Sequence, residues 1–316
     1  MKWFSVICLV VFSISCKKES IQLNLVELDS TTKADIYDLT FIDNSTAYFC
    51  GGKLWQSGVV GKSIDGGVSW EIVLETDNVL FAVAFKNPNE GVAVGFSGRT
   101  WRTKDGGGTW TLTENAPEFP VLRDAEFLTA DSLIIAAGSN YYSGGFVSYN
   151  FENENYTDSL INQDMQALYF FNQQEGLIAG YGAVFKTYNA GLTWVPNSVK
   201  GDYFKDLDFN NQGSGLLIGY QGKIFKSINK GDTWERNARK ASFFTSKGNL
   251  ESVDVKGVNA FIAGQNGNLL YTGDFINNEW LKVETPFTND FLKVCLINPN
   301  QGFVAGSDGL LFRFNY

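Results

Sequence analysis

The chain has no histidine, which excludes every mechanism built on an imidazole base and every zinc site built on imidazole. Oxygen and sulfur remain. Two aspartates recur in one setting, Ser63-Ile64-Asp65-Gly66-Gly67 and Thr103-Lys104-Asp105-Gly106-Gly107. A carboxylate beside a hydroxyl is a candidate acid–base group or metal ligand. At the equivalent places, however, stand Asn189 and Asn229, which do not titrate. What Asp and Asn share is the capacity to accept backbone N–H bonds from residues two or so further on, so these positions read as turn chemistry. A second set of carboxylates lies on alternating segments ending at Phe41, Phe127, Phe209 and Val255. There a period of two puts Asp38, Asp124 with Glu126, Asp206 with Asp208, and Asp254 on one face. Gathered round an axis they would line an acidic, water-filled channel, with oxygens suited to a hard cation such as Ca²⁺. The other reading leaves them solvated, or bonded to the backbone of neighbouring strands. No P-loop, Cys-x-x-Cys pair or dinucleotide-binding glycine fingerprint occurs in a strand-to-helix setting.

The elements that must position these residues are repeated. Trp70, Trp110, Trp194 and Trp234 each end a copy of one eight-residue pattern, Ser/Thr-x-Asp/Asn-x-Gly-x-Ser/Thr-Trp. The copy ending at Trp110 has Gly107 at the fifth place like the others. A looser copy runs from Thr272 to Trp280, and the long gap between Trp110 and Trp194 has room for a degenerate one around Ser148 to Tyr156. A second motif precedes each, as in Gly180-Tyr-Gly182-Ala-Val-Phe185, Gly219-Tyr-Gln-Gly222-Lys-Ile-Phe225 and Gly306-Ser-Asp-Gly309-Leu-Leu-Phe312. It reads as strand, glycine-bearing turn, strand. With the alternating segment upstream, each unit holds four short strands in about 40–45 residues, the content of a propeller blade. Units start near Tyr37, Leu80, Leu122, Met165, Phe204, Leu250 and Phe291. The unit from Phe291 ends at Tyr316 without a Trp-bearing outer strand, and Gln22–Leu28 alternates with no other evident partner. The expected fold is all-β: a seven-bladed β-propeller over residues 22–316, closed by pairing this N-terminal strand beside Leu310–Phe314.

The repeated box resembles the Asp-box, or bacterial neuraminidase (BNR), repeat. Together with the glycine-turn motif it is similar to the photosystem II assembly and stability factors, and the resemblance covers nearly all of residues 22–316. It implies seven blades and assistance to the assembly of a membrane complex. Sialidases share the box but use an arginine triad and an Arg-Ile-Pro segment. This chain has arginines at 99, 102, 123, 236, 239 and 313 and no Arg-Ile-Pro, so an enzyme is not expected. The few arginines also depart from the arginine patch of the photosynthetic members, and nothing points to a photosystem client.

A binding surface is expected where the turns between second and third strands meet the links between blades. That rim presents Trp55, Arg99, Arg123, Tyr141, Tyr142, Tyr181, Tyr203, Tyr220, Lys223 and Arg239, with Phe243 and Phe244. Aromatics with arginine are the composition of protein interaction hot spots. They also suit sugar stacking, so a carbohydrate-binding or glycan-processing propeller is the alternative. A net charge of −9 argues against nucleic acid. A monomer is expected.

The first residues read as a targeting signal. Lys2 is followed by the apolar run Trp3–Ile14, too short to span a bilayer, which stops at Ser13-Ile14-Ser15-Cys16. This resembles the lipobox of bacterial lipoproteins. Residues 1–15 are then a signal peptide, Cys16 the lipidated residue, and 16–21 a short tether; an ordinary secretory signal is the other reading. Lys17 follows the cysteine, not the Asp of inner-membrane retention, so the outer membrane is the expected location, with anchoring by lipid alone. Cys50 and Cys295 fall in units that closure makes neighbours, in an oxidising compartment, but on strands of different rank, where a disulfide is hard to span.

Overall fold

The computed structural model describes residues 20–114, 121–138, 144–151, 155–161, 163–236, 248–277 and 279–316. They form antiparallel sheets of strands hydrogen-bonded in chain order, plainest in Asp35–Phe41, Ala47–Lys53, Ser57–Ser63 and Glu71–Thr76. The same order starts again at Leu80–Phe85, Val121–Phe127, Met165–Phe170, Leu250–Lys256 and Phe291–Asn298. One long strand, Val195–Phe209, serves two such units. Its first part pairs with Lys186 and Phe185, and its second part, from Phe204, opens the next unit against Gly215–Gly219.

Burial explains the sequence patterns. Second strands such as Gly91–Gly95 and Gly215–Gly219 are buried at every residue, because a sheet lies against each face, and they read as unbroken apolar runs. The core therefore sits between sheets. Ala82, Val92 and Val94 pack with Leu122, Leu133 and Ile135 of the next sheet. In the same way Ile36, Leu39 and Phe49 of the Asp35–Glu71 sheet pack with Phe303, Ala305 and Leu311 of the last one.

The N-terminal segment differs from expectation in one respect. Asn24–Glu27 does lie antiparallel to Phe312–Asn315. Ser20–Gln22, however, is a separate strand, parallel to Lys282–Glu284 in the preceding sheet. Ile21, Leu23 and Leu25 all pack into the cluster between these two sheets, so an alternating apolar face draws one segment into both. Ser20 and Ile21 thus belong to a sheet and not to a tether.

The repeated box is a hydrogen-bonded hairpin tip. Ser63 Oγ donates to Asp65 Oδ1 (2.8 Å) and accepts from Gly67 N–H (2.9 Å). Asp65 Oδ1 accepts from the N–H groups of Val68 and Ser69, Asp65 Oδ2 accepts the Ser69 hydroxyl, and Trp70 Nε1 donates to the Gly67 carbonyl. The hydrogen bonds from Ser69, with those from Ser63 and Val68, hold the Asp65 carboxyl down to about 2. Asn189 takes the same place, accepting from Thr193 N–H at 2.9 Å. Both carboxylate oxygens of Asp65 are spent inside the turn, which makes the box a structural device. Lysines of the third strands tie each tip to its neighbour: Lys62 Nζ donates to Gly106 O, Lys186 Nζ to Lys230 O and Lys226 Nζ to Ile276 O.

The glycine motif has two separate causes. A Cβ on Gly180 would collide with the Asp164 carbonyl at the start of the adjacent inner strand. Gly182 has open space around it but a φ of +74°, which side chains rarely adopt. Gly180→Ala is therefore expected to cost about 3 kcal/mol, since backbone must move, and Gly182→Ala about 1 kcal/mol. Denaturant unfolding of the two variants tests this; equal losses would contradict it.

Candidate functional site

The first strand of every sheet has one edge with no strand beside it, so its outward N–H groups need other acceptors. The carboxylates singled out from sequence supply them. Asp38 accepts from its own neighbour Leu39 N–H (2.9 Å) and, through its other oxygen, from Val83 N–H of the next inner strand (2.9 Å). Asp124 does the same with Ala125 and Leu168, and Asp206 with Leu207 and Val253. A second tier lies two residues on: Glu126 accepts from Phe170, Asp208 from Phe209 and Val255, and Asp254 from Leu296. Lys293 Nζ meets Asp38 Oδ1 at 2.9 Å, joining the last inner strand to the first.

These bonds are those of the reading in which the carboxylates bond the backbone of neighbouring strands. Both oxygens of Asp38, Asp124, Asp206 and Asp208 accept from backbone N–H groups, and Asp38 also meets the Lys293 ammonium, while Asp254 Oδ1 is buried without a hydrogen-bond partner. Among the described residues no three or more acidic or cysteine side chains are grouped to hold a metal. Burial is costly for the charges that remain. It pushes Asp124 up to about 7, and burial with the nearby Asp124 pushes Glu126 to about 8. Asp208 is raised by burial and by Asp254. Lys293 is held well above its ordinary value, the pull of Asp38, Asp206 and Asp124 outweighing burial.

Above this ring the strands share a further feature. Each inner strand has a register shift one residue before its first axial position, at Tyr37, Phe81, Arg123, Gln166, Lys205, Glu251 and Leu292. A bulge re-aims the extra side chain, and these residues together line one mouth of the channel. Tyr37 packs edge-on to Phe81 (5.1 Å), and the Arg123 guanidinium stacks on Phe81 at 4.4 Å. Lys205 pairs with Glu251 (3.2 Å) and lies over the rings of Tyr203 and Tyr220. Of this ring only Arg123 is among the residues expected from sequence, because strict alternation points the residue before the axial position the other way.

Of the rim residues expected from sequence, Tyr203 and Tyr220 lie beside this mouth, under the Lys205 ammonium. Tyr203 contacts both Tyr181 (5.6 Å) and Tyr220 (4.7 Å) and donates to Asp164 Oδ2 at 2.8 Å. Trp55 packs against Phe96 (4.3 Å) and is 66% exposed. Arg99 is paired with Asp77 (2.6 Å), and Lys223 closes the turn after Tyr220. The turn residues are fixed from the neighbouring link: Trp55 N–H donates to Asn78, Gln221 to Asn249, Asn266 to Asp290 and Asp308 to Asp35. Cys16, Tyr141, Tyr142, Arg239, Phe243 and Phe244 lie outside the described residues. Cys50 and Cys295 are both free thiols, raised by burial, Cys295 to about 12.

Radially packed four-stranded meanders whose first strands line an axis define a β-propeller, and the chain superposes on one of a different kind, the WD40 propeller domain of Doa1. The TM-score is 0.70 at 12% identity, over 93% of this chain and 96% of that one. The model of the photosynthesis system II assembly factor YCF48 family matches residues 197–288. Two solved structures of that kind are similar along nearly the whole chain. YCF48 bound to D1 peptide has a TM-score of 0.72 and 22% identity, covering 96% of this chain and 100% of that one. YCF48 from Cyanidioschyzon merolae has 0.71 and 14%, covering 92% and 98%. At such identities the likeness carries the fold. No curated protein matches.

The buried carboxylates make stability depend on pH. Glu126 in the folded chain binds its proton more tightly than when unfolded, so its contribution is full below about 4.5 and is lost as pH rises through about 8. Glu126→Gln keeps an acceptor for Phe170 N–H and removes the charge. The variant is expected to melt higher than the parent near pH 9, with a shallower fall of Tm between about pH 5 and 9. Parallel curves would refute the assignment.

Proposed function

We propose that this chain is a non-enzymatic scaffold or assembly factor, a seven-bladed propeller held to the cell envelope by lipid on Cys16, which binds another protein on the aromatic rim. The ring is closed by the Asn24–Glu27 strand beside Phe312–Asn315, by the Lys293–Asp38 pair and by the cluster shared between the last and first sheets. Residues 1–15 are the signal peptide that precedes the anchor, and the outer membrane is its place.

The observation that carries the reading is the mouth itself. Exposed Trp55, Tyr181 and Tyr220 stand around Arg123 and the Lys205–Glu251 pair. That is the composition of an interaction hot spot, and the carboxylates beneath it are occupied in holding strands together. A partner of protein chemistry is further supported by the YCF48 relative solved with a D1 peptide. The family match covers Tyr203, Lys205, Tyr220 and Glu251.

Crosslinking in living cells from a photoreactive residue at Tyr220 is expected to capture a protein. The combined change Trp55→Ala, Tyr181→Ala and Tyr220→Ala should lower that capture roughly tenfold while leaving melting unchanged. Undiminished capture, selective binding on a glycan array, or turnover of a substrate would overturn the reading. Cys16→Ser is expected to move the protein from the membrane to the soluble fraction; retention in the membrane would refute the lipid anchor.

A further inference from the structure

Among the described residues most of the exposed apolar side chains are sorted by face. Around the mouth they are Trp55, Tyr181 and Tyr220, rings with a polar atom, and beside them Leu54. On the opposite face, at the Asp-box hairpins, they are mainly aliphatic. Leu192 is 80% exposed, Ile64 69% and Ile228 65%, with Val68 and Tyr188 nearby. Val258 joins them, since its carbonyl accepts Phe275 N–H at 3.0 Å from the adjoining hairpin. The box needs none of these side chains: its bonds use the hydroxyl, the Asp or Asn, the glycine N–H and the tryptophan. Lys104 and Gly108 stand at the corresponding places of another copy. The apolar residues are therefore free choices, and they fall on one side.

The direction of the first strand supplies a second observation. Ser20–Gln22 runs parallel to Lys282–Glu284, and that strand leads from the hairpin end toward the link to Phe291 at the mouth end. Ser20, preceded in the sequence by a stretch of 19 residues, is thus the hairpin-side end of its strand. That preceding stretch contains the apolar run Trp3–Ile14 and Cys16.

We propose that the Asp-box face is a membrane-docking surface, whose aliphatic hairpin tips enter the headgroup–acyl boundary of the bilayer that holds the N-terminus, so that the aromatic mouth points away from it. Aliphatic side chains without donors are poor protein hot spots, yet they partition into hydrocarbon in proportion to their area. The hairpins carry Asp65, Asp105 and Asp232 against Lys104 and Lys230, so the face has no cationic excess and a zwitterionic bilayer suffices. The proposal rests on the membrane attachment proposed above and is independent of what the mouth binds.

The lipid-anchored protein, reconstituted in phosphatidylethanolamine–phosphatidylcholine vesicles, is labelled with a nitroxide at Leu192→Cys, Ile228→Cys or Tyr220→Cys. Labels at 192 and 228 are expected to collide with oxygen in preference to a water-soluble nickel complex, and the label at 220 to do the reverse. Separately, in the anchored protein labelled at Leu192→Cys, the changes Ile64→Ser and Ile228→Ser together should lower that label's preference for oxygen over nickel roughly tenfold. Water-like signals at 192 and 228, a lipid-like signal at 220, or crosslinks from 192 to protein and not lipid would overturn the proposal. None of these results depends on capture at Tyr220, so the two readings fail separately.

Discussion

An innermost strand exposes a row of backbone N–H groups toward an axis too narrow for another strand. Leaving them bare costs free energy comparable to lost hydrogen bonds. Asp38, Asp124, Asp206 and Asp208 answer this constraint with two oxygens each, one for the N–H of the next residue and one for the neighbouring inner strand, and Glu126 and Asp254 with one oxygen to the neighbouring strand. Asp206, with Leu207 and Val253, shows the arrangement at its simplest. A side chain that seemed free for chemistry is thereby spent on architecture. The junctions differ in what they use. Tyr169 bonds the Phe209 carbonyl where no carboxylate stands, and Lys293 replaces a carboxylate at the junction with Asp38.

Much of this was legible in the sequence. The four-strand unit shows because each element leaves its own mark: alternation in the first strand, a continuous apolar run in the second, two glycines at the turn, an Asp or Asn at the hairpin. The carboxylates of the first strands could be placed on one face by their period of two. Their role could not, because bonding to a neighbouring backbone depends on a strand some forty residues away, as Asp124 with Leu168 illustrates.

Two features escaped for the same reason. The ring of Tyr37, Phe81, Gln166, Lys205 and Glu251 exists because a bulge breaks alternation, and a bulge leaves no residue type behind when the strand continues as before. The split of the N-terminal segment between two sheets is likewise invisible in Gln22–Leu28, whose pattern is that of one strand. Only the cluster receiving Ile21, Leu23 and Leu25 makes the division favourable.

The shared strand Val195–Phe209 has a further consequence. Tyr203 lies on it, between Tyr181 of one sheet and Tyr220 of the next. Residues 77–79 and 285–290 are links that leave the ladder between adjacent sheets, but here the polypeptide crosses without leaving it. The three tyrosines are carried on one continuous beam, tied at Asp164. A ligand laid across them would find the aromatic platform already assembled and would have little ordering left to impose on it.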